Sequence, residues 1–274
     1  MLSSLAPARR RLLLGVLALL VAGVVAVVAV LLVRRDGDRA LAGADAPPAP
    51  QDKPGPVLLV PGYGGAEESL RALASRLRAA GRDATVVPLP GDGTGDLRVQ
   101  SRVLGAAARA AVLRTGAASV DVVGYSAGGV VARLWVRDGA GRSLARRVVT
   151  LGSPHHGTEL AALAGSFAPD RCPQACQQLA PGSDLLRRLN TGDETPEGPR
   201  WVSVWSTVDE VISPPESSRL EGALDVRVQG VCAGSRVEHG QLPTDPTVQG
   251  IVLASLGAAA PAALSTSDCA RLSS

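Results

Sequence analysis

The stretch that decides the fold is VDVVGYSAGG, residues 120–129, in which one serine lies between two glycines directly after a run of apolar residues. Gly124-Tyr125-Ser126-Ala127-Gly128 matches the pattern G-x-S-x-G, which places an exposed serine on a sharp turn between a strand and a helix. Residues 120–125 have strand composition, and helical spacing continues to about residue 136. Ser126 is therefore a candidate nucleophile. The alternative is a glycine-lined turn with an incidental serine.

Strands and helices are predicted to alternate on both sides of this turn. The predicted strands are 57–60, 84–89, 119–126, 146–154, 200–207 and 223–230. The predicted helices are 66–80, 97–114, 127–136 and a last one that Thr244 caps and that runs to about Leu256. This order indicates an α/β fold with a mostly parallel, doubly wound sheet, whose ligands lie at the carboxyl ends of the strands. Residues 157–199 break the alternation and are predicted to form a small lid-like insertion.

A serine hydroxyl needs a base and an orienting carboxylate before it can attack a carbonyl carbon. Of the three histidines, His239 follows every carboxylate of the later region, as the chain order serine, acid, histidine requires. His155 and His156 come directly after a predicted strand. They are expected to shape a pocket wall or to bond to the backbone.

The predicted acid is Asp209, which follows the strand at 200–207 and so lies at the same edge as Ser126. Glu210 is next to it but points in another direction. Weaker candidates are Asp184, Asp193 and Asp225, because two lie in the irregular insertion and the third opens a strand or lies inside one.

The oxyanion that forms during acyl transfer needs preorganised N–H donors. Ala127, at the start of the helix after the serine, is expected to provide one from its backbone. Tyr63 is expected to provide the second from the loop PGYGG, residues 61–65, with its ring free to line the pocket. A phosphate-binding loop is the alternative, but the lysine and Ser/Thr of a P-loop are absent.

Five motifs in order give the chain a family resemblance: VPGYGG, VVGYSAGG, TLGSPHHGT, STVDEVISP and EHGQLPTDP. Over about residues 55–270 the chain resembles secreted actinobacterial lipases and esterases of the α/β-hydrolase superfamily. The resemblance implies the α/β-hydrolase fold, Ser126 as nucleophile, Asp209 as acid, His239 as base and Tyr63 and Ala127 as oxyanion donors. It also implies a disulfide near the lid.

Two positions depart from the pattern of such lipases. Pro61-Gly62 stands where many have His-Gly, and Tyr125 and Ala127 stand where His and Met are common beside the nucleophile. Because the oxyanion donor is a backbone group after Gly62, the first departure leaves catalysis intact, whereas the second bears on acyl-chain preference.

The predicted activity is hydrolysis of lipid or acyl esters by a monomer without metal or other cofactor. Tyr125, His155 and Phe167 are predicted to contact the substrate. An acyltransferase or thioesterase with the same three residues, a non-catalytic lipid-binding protein of the cell envelope and a membrane-anchored scaffold are the alternatives.

Composition argues against a nucleic-acid partner. Aromatic residues make up only 2% of the chain, which offers no stacking platform for bases. The first 45 residues hold six arginines and three aspartates, which accounts for the whole net charge of +3, so the rest of the chain is neutral.

The N-terminal region predicts membrane insertion. Residues 12–33 contain no polar side chain and as a helix would reach about 33 Å, enough to span a bilayer. Residues 1–11 are then a cytoplasmic basic segment, with a weak likeness to a twin-arginine signal, and residues 34–56 a disordered linker to a domain at 57–274. A retained signal anchor is favoured by the length of the apolar segment. A cleaved signal peptide, favoured by ALA at 40–42, would make the protein secreted.

Four cysteines in a chain with an export signal are expected to be paired outside the cytoplasm. Three pairings are possible. The favoured one joins Cys172 to Cys176, around a small loop, and Cys232 to Cys269, which would tie the tail to the body.

Overall fold

The computed structural model describes residues 47–273. In chain order, the strands are β1 Val57–Val60, β2 Ala84–Val86, β3 Val120–Tyr125, β4 Ala145–Leu151, β5 Arg200–Trp205 and β6 Leu224–Arg227. The longer helices are α1 Glu68–Ala79, α2 Leu97–Thr115, α3 Ala127–Asp138, α5 Glu159–Phe167, α7 Asp184–Leu189 and α9 Pro246–Ser255. The helices of four or five residues are α4 Gly141–Leu144, α6 Gln174–Gln178, α8 Val228–Val231 and α10 Cys269–Leu272. All six predicted strands and the predicted helices between them are present.

The six strands form one parallel sheet in the order β2-β1-β3-β4-β5-β6. The chain leaves β1 for β2 at the edge and then returns past β1 to β3. The loops after β1 and β3 therefore leave the sheet side by side, because Val60 is in register with Gly124. Such a reversal of strand order is where open α/β sheets bind ligands.

Alternating side chains bury both faces of the sheet. Val57 and Leu59 belong to one core with Leu70 of α1 and Ile251 of α9, and α1 packs against α9. Leu58, Val60 and Val122 point to the opposite face, where α2 and α3 pack against each other. Since both faces are covered, the central strands β1, β3 and β4 are buried along almost their whole length, and the predicted doubly wound α/β fold is confirmed.

Several element ends differ from their predictions, among them those of β4 and β5, which end at Leu151 and Trp205. β2 ends at Val86, and proline at 88 and at 90 has no N–H to donate to a neighbouring strand. β6 ends at Arg227, where the chain turns into α8. The cap of α9 is Asp245, whose side chain accepts from Val248 N at 3.0 Å; Thr244 donates to a carbonyl instead.

The end of the predicted linker packs on the domain. Ala49 is buried, and the Gln51 carbonyl accepts from Arg146 Nη1 at 3.2 Å and from Arg147 Nη2 at 3.3 Å. Both arginines are buried, and a buried guanidinium requires acceptors, which this segment supplies. The prediction of a disordered linker up to residue 56 is therefore wrong for residues 47–56.

Within residues 47–273, no helix is long and apolar enough to cross a membrane. The predicted basic segment, the predicted membrane span at 12–33 and the predicted linker before residue 47 lie outside the described residues.

Both favoured cysteine pairs are present as disulfides, Cys172–Cys176 and Cys232–Cys269. The first lies in the predicted insertion, which contains α5, α6, α7 and the 3-10 turn Pro169–Arg171. The second joins the short α10 near the carboxyl end to the residue after α8, so it ties the tail to the body as expected.

Candidate active site

Ser126 lies on a strained turn between β3 and α3. Its φ of 53° and ψ of −126° make it the only non-glycine residue with positive φ among residues 47–273. The neighbouring glycines are needed because a Cβ on Gly124 would lie 2.6 Å from the Gly128 carbonyl oxygen, and one on Gly128 would overlap the Val60 carbonyl. The turn therefore holds only with glycine on both sides of the serine.

A continuous hydrogen-bonded path runs from this serine through two more of the predicted residues. Ser126 Oγ lies 3.0 Å from His239 Nε2, and His239 Nδ1 lies 2.8 Å from Asp209 Oδ2. The three residues are 9%, 6% and 5% exposed, respectively. The structure thus brings together residues that are 30 and 113 positions apart in the chain.

The carboxylate of Asp209 is held in place by backbone donors. Its Oδ1 accepts from Val211 N at 3.0 Å and from Ile212 N at 2.8 Å, which leaves Oδ2 for the histidine. These bonds fix the direction of the carboxylate. Glu210, the neighbouring candidate, accepts from the backbone N of His239 at 3.3 Å and does not reach the imidazole ring.

His239 lies in the 3-10 turn His239–Gln241, and its backbone is anchored by Tyr125. The Tyr125 hydroxyl donates to the His239 carbonyl at 3.1 Å, and the two rings are 5.2 Å apart. Burial, followed by the charges of Asp209 and Glu210, raises the pKa of Tyr125 to about 12. The hydroxyl therefore keeps its proton and remains a donor over the neutral and mildly alkaline range.

Gly152, the residue after β4, has no side chain, which leaves room for the Asp209 carboxylate to contact the His239 ring. Its φ is +52°, and a Cβ there would lie 3.0 Å from Asp209 Oδ2 and 3.2 Å from His239 Nδ1. A larger side chain would push into the bond between them. This glycine was not among the predicted site residues, although a glycine directly after a buried strand signals close approach.

The two predicted oxyanion donors lie in segments next to Ser126. Ala127 is the first residue of α3, and the first N–H groups of a helix have no partner inside it. A Cβ on Gly62 would lie 3.5 Å from Ser126 Oγ, so Tyr63 follows a residue that is packed against the nucleophile. The turn in this loop is closed by Gly65 N donating to the Gly62 carbonyl at 3.1 Å, which does not use the N–H of Tyr63.

An apolar cavity of about 270 Å³ opens beside Ser126. The aliphatic side chains that line it are Leu160, Ala161, Ala164, Leu179, Val211 and Ile212. Tyr63 lines it too, as predicted. Thr158 contributes little polarity because its hydroxyl donates to the Val211 carbonyl at 2.6 Å.

Two of the predicted substrate contacts lie away from this cavity. Phe167 is at the end of α5 and is 84% exposed, so it does not line the cavity. Tyr125 does not line it either, because its hydroxyl is bonded to the His239 loop. Sequence patterns could not exclude them, since the direction of a side chain depends on the packing around it.

His155 also lies away from the cavity, and it is completely buried. Its Nε2 lies 3.1 Å from Thr150 Oγ1 in β4, and its carbonyl accepts from Asn190 Nδ2 at 2.9 Å. Burial, followed by the charge of Arg133, lowers the pKa of His155 well below its ordinary value. His156 instead pairs its Nε2 with Glu194 Oε1 at 2.9 Å.

The cavity also contains residues that the sequence analysis did not single out, namely Pro154, Arg171, Cys176 and most of the aliphatic wall. No motif marks them, because they come from separate segments of the chain. Among the described residues, no group of His, Cys, Asp and Glu side chains is arranged to hold a metal ion.

Comparison with known proteins adds a family and a fold. A family model described as Lipase (class 2) matches residues 108–249, more than half of the 274-residue chain, and this range includes Ser126, Asp209 and His239. No curated protein sequence matches the chain.

Two solved structures show the likeness in fold. Lipase B of Aspergillus fumigatus is similar with a TM-score of 0.64 and 20% identity over 80% of this chain and 56% of that one. The chain therefore spans little more than half the length of that lipase. The mature form of lipase BlEst2 of Bacillus licheniformis is similar with a TM-score of 0.54 and 23% identity over 68% of this chain and 88% of that one. These similarities show the α/β-hydrolase fold.

Proposed function

Because the chain belongs to the class 2 lipase family, we propose that it is a serine hydrolase that cleaves carboxylic esters through an acyl-enzyme on Ser126. The observation that carries the proposal is the path from Ser126 Oγ through His239 to Asp209, with atom separations of 3.0 and 2.8 Å. These three residues lie at the sheet edge beside an apolar cavity, where an ester with an apolar chain would fit.

In the first half of the reaction, Ser126 Oγ attacks the ester carbonyl carbon while His239 Nε2 takes its proton. Asp209 accepts the Nδ1–H of the imidazole, which fixes the tautomer and stabilises the imidazolium. The imidazolium then gives its proton to the leaving alkoxide, so an alcohol departs and the acyl group stays on Ser126. Water repeats these steps and releases the carboxylic acid.

The backbone N–H groups of Ala127 and Tyr63 are proposed to donate hydrogen bonds to the oxyanion in both halves of the reaction. The α3 dipole favours negative charge at this position because the helix begins at Ala127. The strained turn at Ser126 brings the nucleophile and this helix end together before substrate arrives, which is electrostatic preorganisation.

Lipidic esters are the proposed substrates, and three exposed apolar residues support this. Leu160, Leu163 and Phe167 follow one side of α5 and are 53%, 54% and 84% exposed. Leu160 also lines the cavity, so this apolar surface continues into the site. Such a patch on a monomer is typical of a surface that meets lipid or another apolar partner.

The test compares the oxidised full chain with Ser126→Ala on p-nitrophenyl butyrate and p-nitrophenyl palmitate. We expect Ser126→Ala to lower kcat by at least about 10⁴-fold. A fluorophosphonate should label the wild type and spare the variant, and added alcohol or thiol should not divert the product from free acid. Equal rates in the two proteins would rule out the acyl-enzyme, and transfer to alcohol or thiol would indicate an acyltransferase.

We further propose that the domain works outside the cytoplasm as a monomer, attached through the predicted segment 12–33 or secreted after its cleavage. Two disulfides and the lack of any free cysteine in the described residues support an oxidising compartment. Protease added to intact cells should degrade the membrane-bound domain. Full protection, with release only after lysis, would contradict this location.

A further inference from the structure

From the cavity beside Ser126 we infer a substrate preference: its one charged side chain, Arg171, binds an anionic group on the ester, a carboxylate or a phosphate. The inference rests on the proposed hydrolysis, since it concerns the substrate of the same site. The other residues that line the cavity carry no charge. Most are aliphatic or aromatic, and Cys176 is disulfide-bonded. The hydroxyls of Ser126 and Thr158 are already hydrogen-bonded.

The backbone of Arg171 is held firmly. It ends the 3-10 turn Pro169–Arg171, and its N–H donates to the Ala168 carbonyl at 2.9 Å. The next residue, Cys172, is joined to Cys176, which lines the same cavity. The disulfide therefore ties the base of Arg171 to the cavity wall.

The guanidinium of Arg171 has no ion-pair partner within residues 47–273. Several other exposed arginines do have one: Arg187 pairs with Asp184, Arg114 with Asp83 and Arg71 with Glu67. Asp170, next to Arg171 in the chain, does not pair with it. A planar guanidinium at an apolar cavity is suited to a bidentate bond with a carboxylate or phosphate.

Other carboxylates near the cavity have partners of their own. Asp92 is close enough to Tyr63 to contribute to the raised pKa of that phenol, but its carboxylate accepts from Thr94 N at 3.0 Å and Thr94 Oγ1 at 2.6 Å. Glu159 accepts from Ser213 Oγ at 3.2 Å. Neither lines the cavity, so the charge that a substrate meets inside it is positive.

The first test uses p-nitrophenyl half-esters of straight-chain dicarboxylic acids of increasing length. Each is compared with the neutral p-nitrophenyl alkanoate of the same length. We expect the wild type to prefer the charged substrate at one chain length, where the carboxylate reaches Arg171. Arg171→Gln should lower this charged-to-neutral ratio of kcat/KM about tenfold, which corresponds to about 1.4 kcal/mol. Arg171→Lys should keep part of the preference, and Arg171→Glu should reverse it.

A second arm places the anion on the alcohol side of the ester. It compares the butyrate ester of 4-hydroxybenzoate with that of methyl 4-hydroxybenzoate. If only this second comparison shows a preference for the charged ester that depends on Arg171, the anion lies on the alcohol part of the substrate. If only the half-esters show such a preference, the anion lies on the acyl chain.

Arg187→Gln is the matched control, because it removes the same charge from an exposed arginine that does not line the cavity. It should leave both ratios unchanged. If the ratios are the same with arginine, glutamine and glutamate at 171, at every length and in both arms, the inference is overturned.

Measuring binding to a variant that lacks the nucleophile tests the anion site independently of the proposed hydrolysis. Calorimetry on Ser126→Ala should detect methyl hydrogen suberate, and Ser126→Ala/Arg171→Gln should bind it about tenfold more weakly. Binding that depends on Arg171 supports the anion site even if the wild type hydrolyses no ester. Hydrolysis of neutral esters without any dependence on residue 171 leaves the proposed function standing and removes the anion site.

Discussion

Two regions of the molecule are held in different ways. One is the proposed catalytic edge, formed by Ser126, Asp209, His239 and Gly152, and the other is the cap segment, residues 157–199. The three polar residues of the edge are buried and bonded to one another or to backbone donors. The cap segment consists of short helices joined by turns, and Leu160, Leu163 and Phe167 on α5 are more than half exposed. The proposed catalytic residues thus lie in turns at the edge of the sheet, while the surface proposed to meet substrate lies on short, exposed elements.

The two regions meet at the cavity, where each contributes one kind of group. On the side of the sheet edge, the cavity is lined by Ser126, Val211 and Ile212. The backbone N–H groups of Val211 and Ile212 also donate to Asp209. The cap segment provides Leu160, Leu179 and Arg171. Changes at the edge should therefore affect kcat, and changes in the cap segment should affect KM and substrate preference.

The largest effect is expected from Asp209→Asn. An amide would offer its NH₂ to His239 Nδ1 and favour the wrong tautomer, so kcat should fall about 10⁴-fold. Steady-state kinetics on a short neutral ester would measure it. Glu210→Gln is the matched control, because the Glu210 carboxylate bonds to the backbone N of His239 and not to its ring, and it should cost less than about tenfold. Equal losses in the two variants would mean that Asp209 is not the acid.

Removal of one disulfide should mainly lower stability, and removal of the other should also weaken substrate binding. Cys232–Cys269 closes a loop of 37 residues, so replacing both cysteines by serine should lower the free energy of unfolding by about 4 kcal/mol. Cys172–Cys176 spans only 4 residues, and its double serine variant should lose about 2 kcal/mol. The second variant, however, should raise KM about fivefold because Cys176 lines the cavity.

Denaturant titration and kinetics at a temperature where both variants are folded would measure these effects. A rise in KM in the Cys232/Cys269 variant alone would contradict the assignment of the cavity wall to the cap segment.

His155 links the two regions, and it should make stability depend on pH. Its ring is bonded to Thr150 in β4, and its carbonyl is bonded to Asn190 after α7. Burial lowers its pKa in the folded protein below the ordinary value of 6.5. Between these two values the unfolded chain binds the proton more readily, so stability should fall as the pH drops below 6.5, by at most about 1.4 kcal/mol per pH unit.

Urea titrations at pH 7.5, 6.5 and 5.5 would reveal this slope. His155→Gln should be less stable at pH 7.5 but should lose less stability between pH 6.5 and 5.5. Parallel curves for the two proteins would show that His155 does not cause the acid sensitivity.

Tyr125→Phe should have the smallest effect. The phenylalanine keeps the ring next to His239 but removes the hydrogen bond to its carbonyl, so kcat should fall about fivefold, or about 1 kcal/mol. Tyr125→Leu, which also removes the ring contact, should lose more. If Tyr125→Phe instead raised KM at unchanged kcat, Tyr125 would belong with the substrate contacts rather than with the support of His239.

Much of the fold could be predicted because its signals are local. Most of the strands contain a short apolar run, and the G-x-S-x-G turn needs glycines at 124 and 128 for reasons of space alone. The order of serine, acid and histidine along the chain narrowed the partners of Ser126 to His239 and Asp209. The errors fell at element ends and at residues 47–56, where buried arginines recruit a segment whose composition resembles a linker.

By itself, the sequence determined the parallel α/β fold and the turn at Ser126, because each depends on the local pattern of neighbouring residues. It left three pairings of the cysteines open, and the structure contains the favoured one. Only the tertiary structure decided which side chains line the cavity. Arg171 enters it while Phe167 and His155 do not, and these placements depend on how separate segments pack after the sheet has formed. Periodicity in a sequence fixes which face of an element is buried, but contacts between distant loops follow from packing in three dimensions.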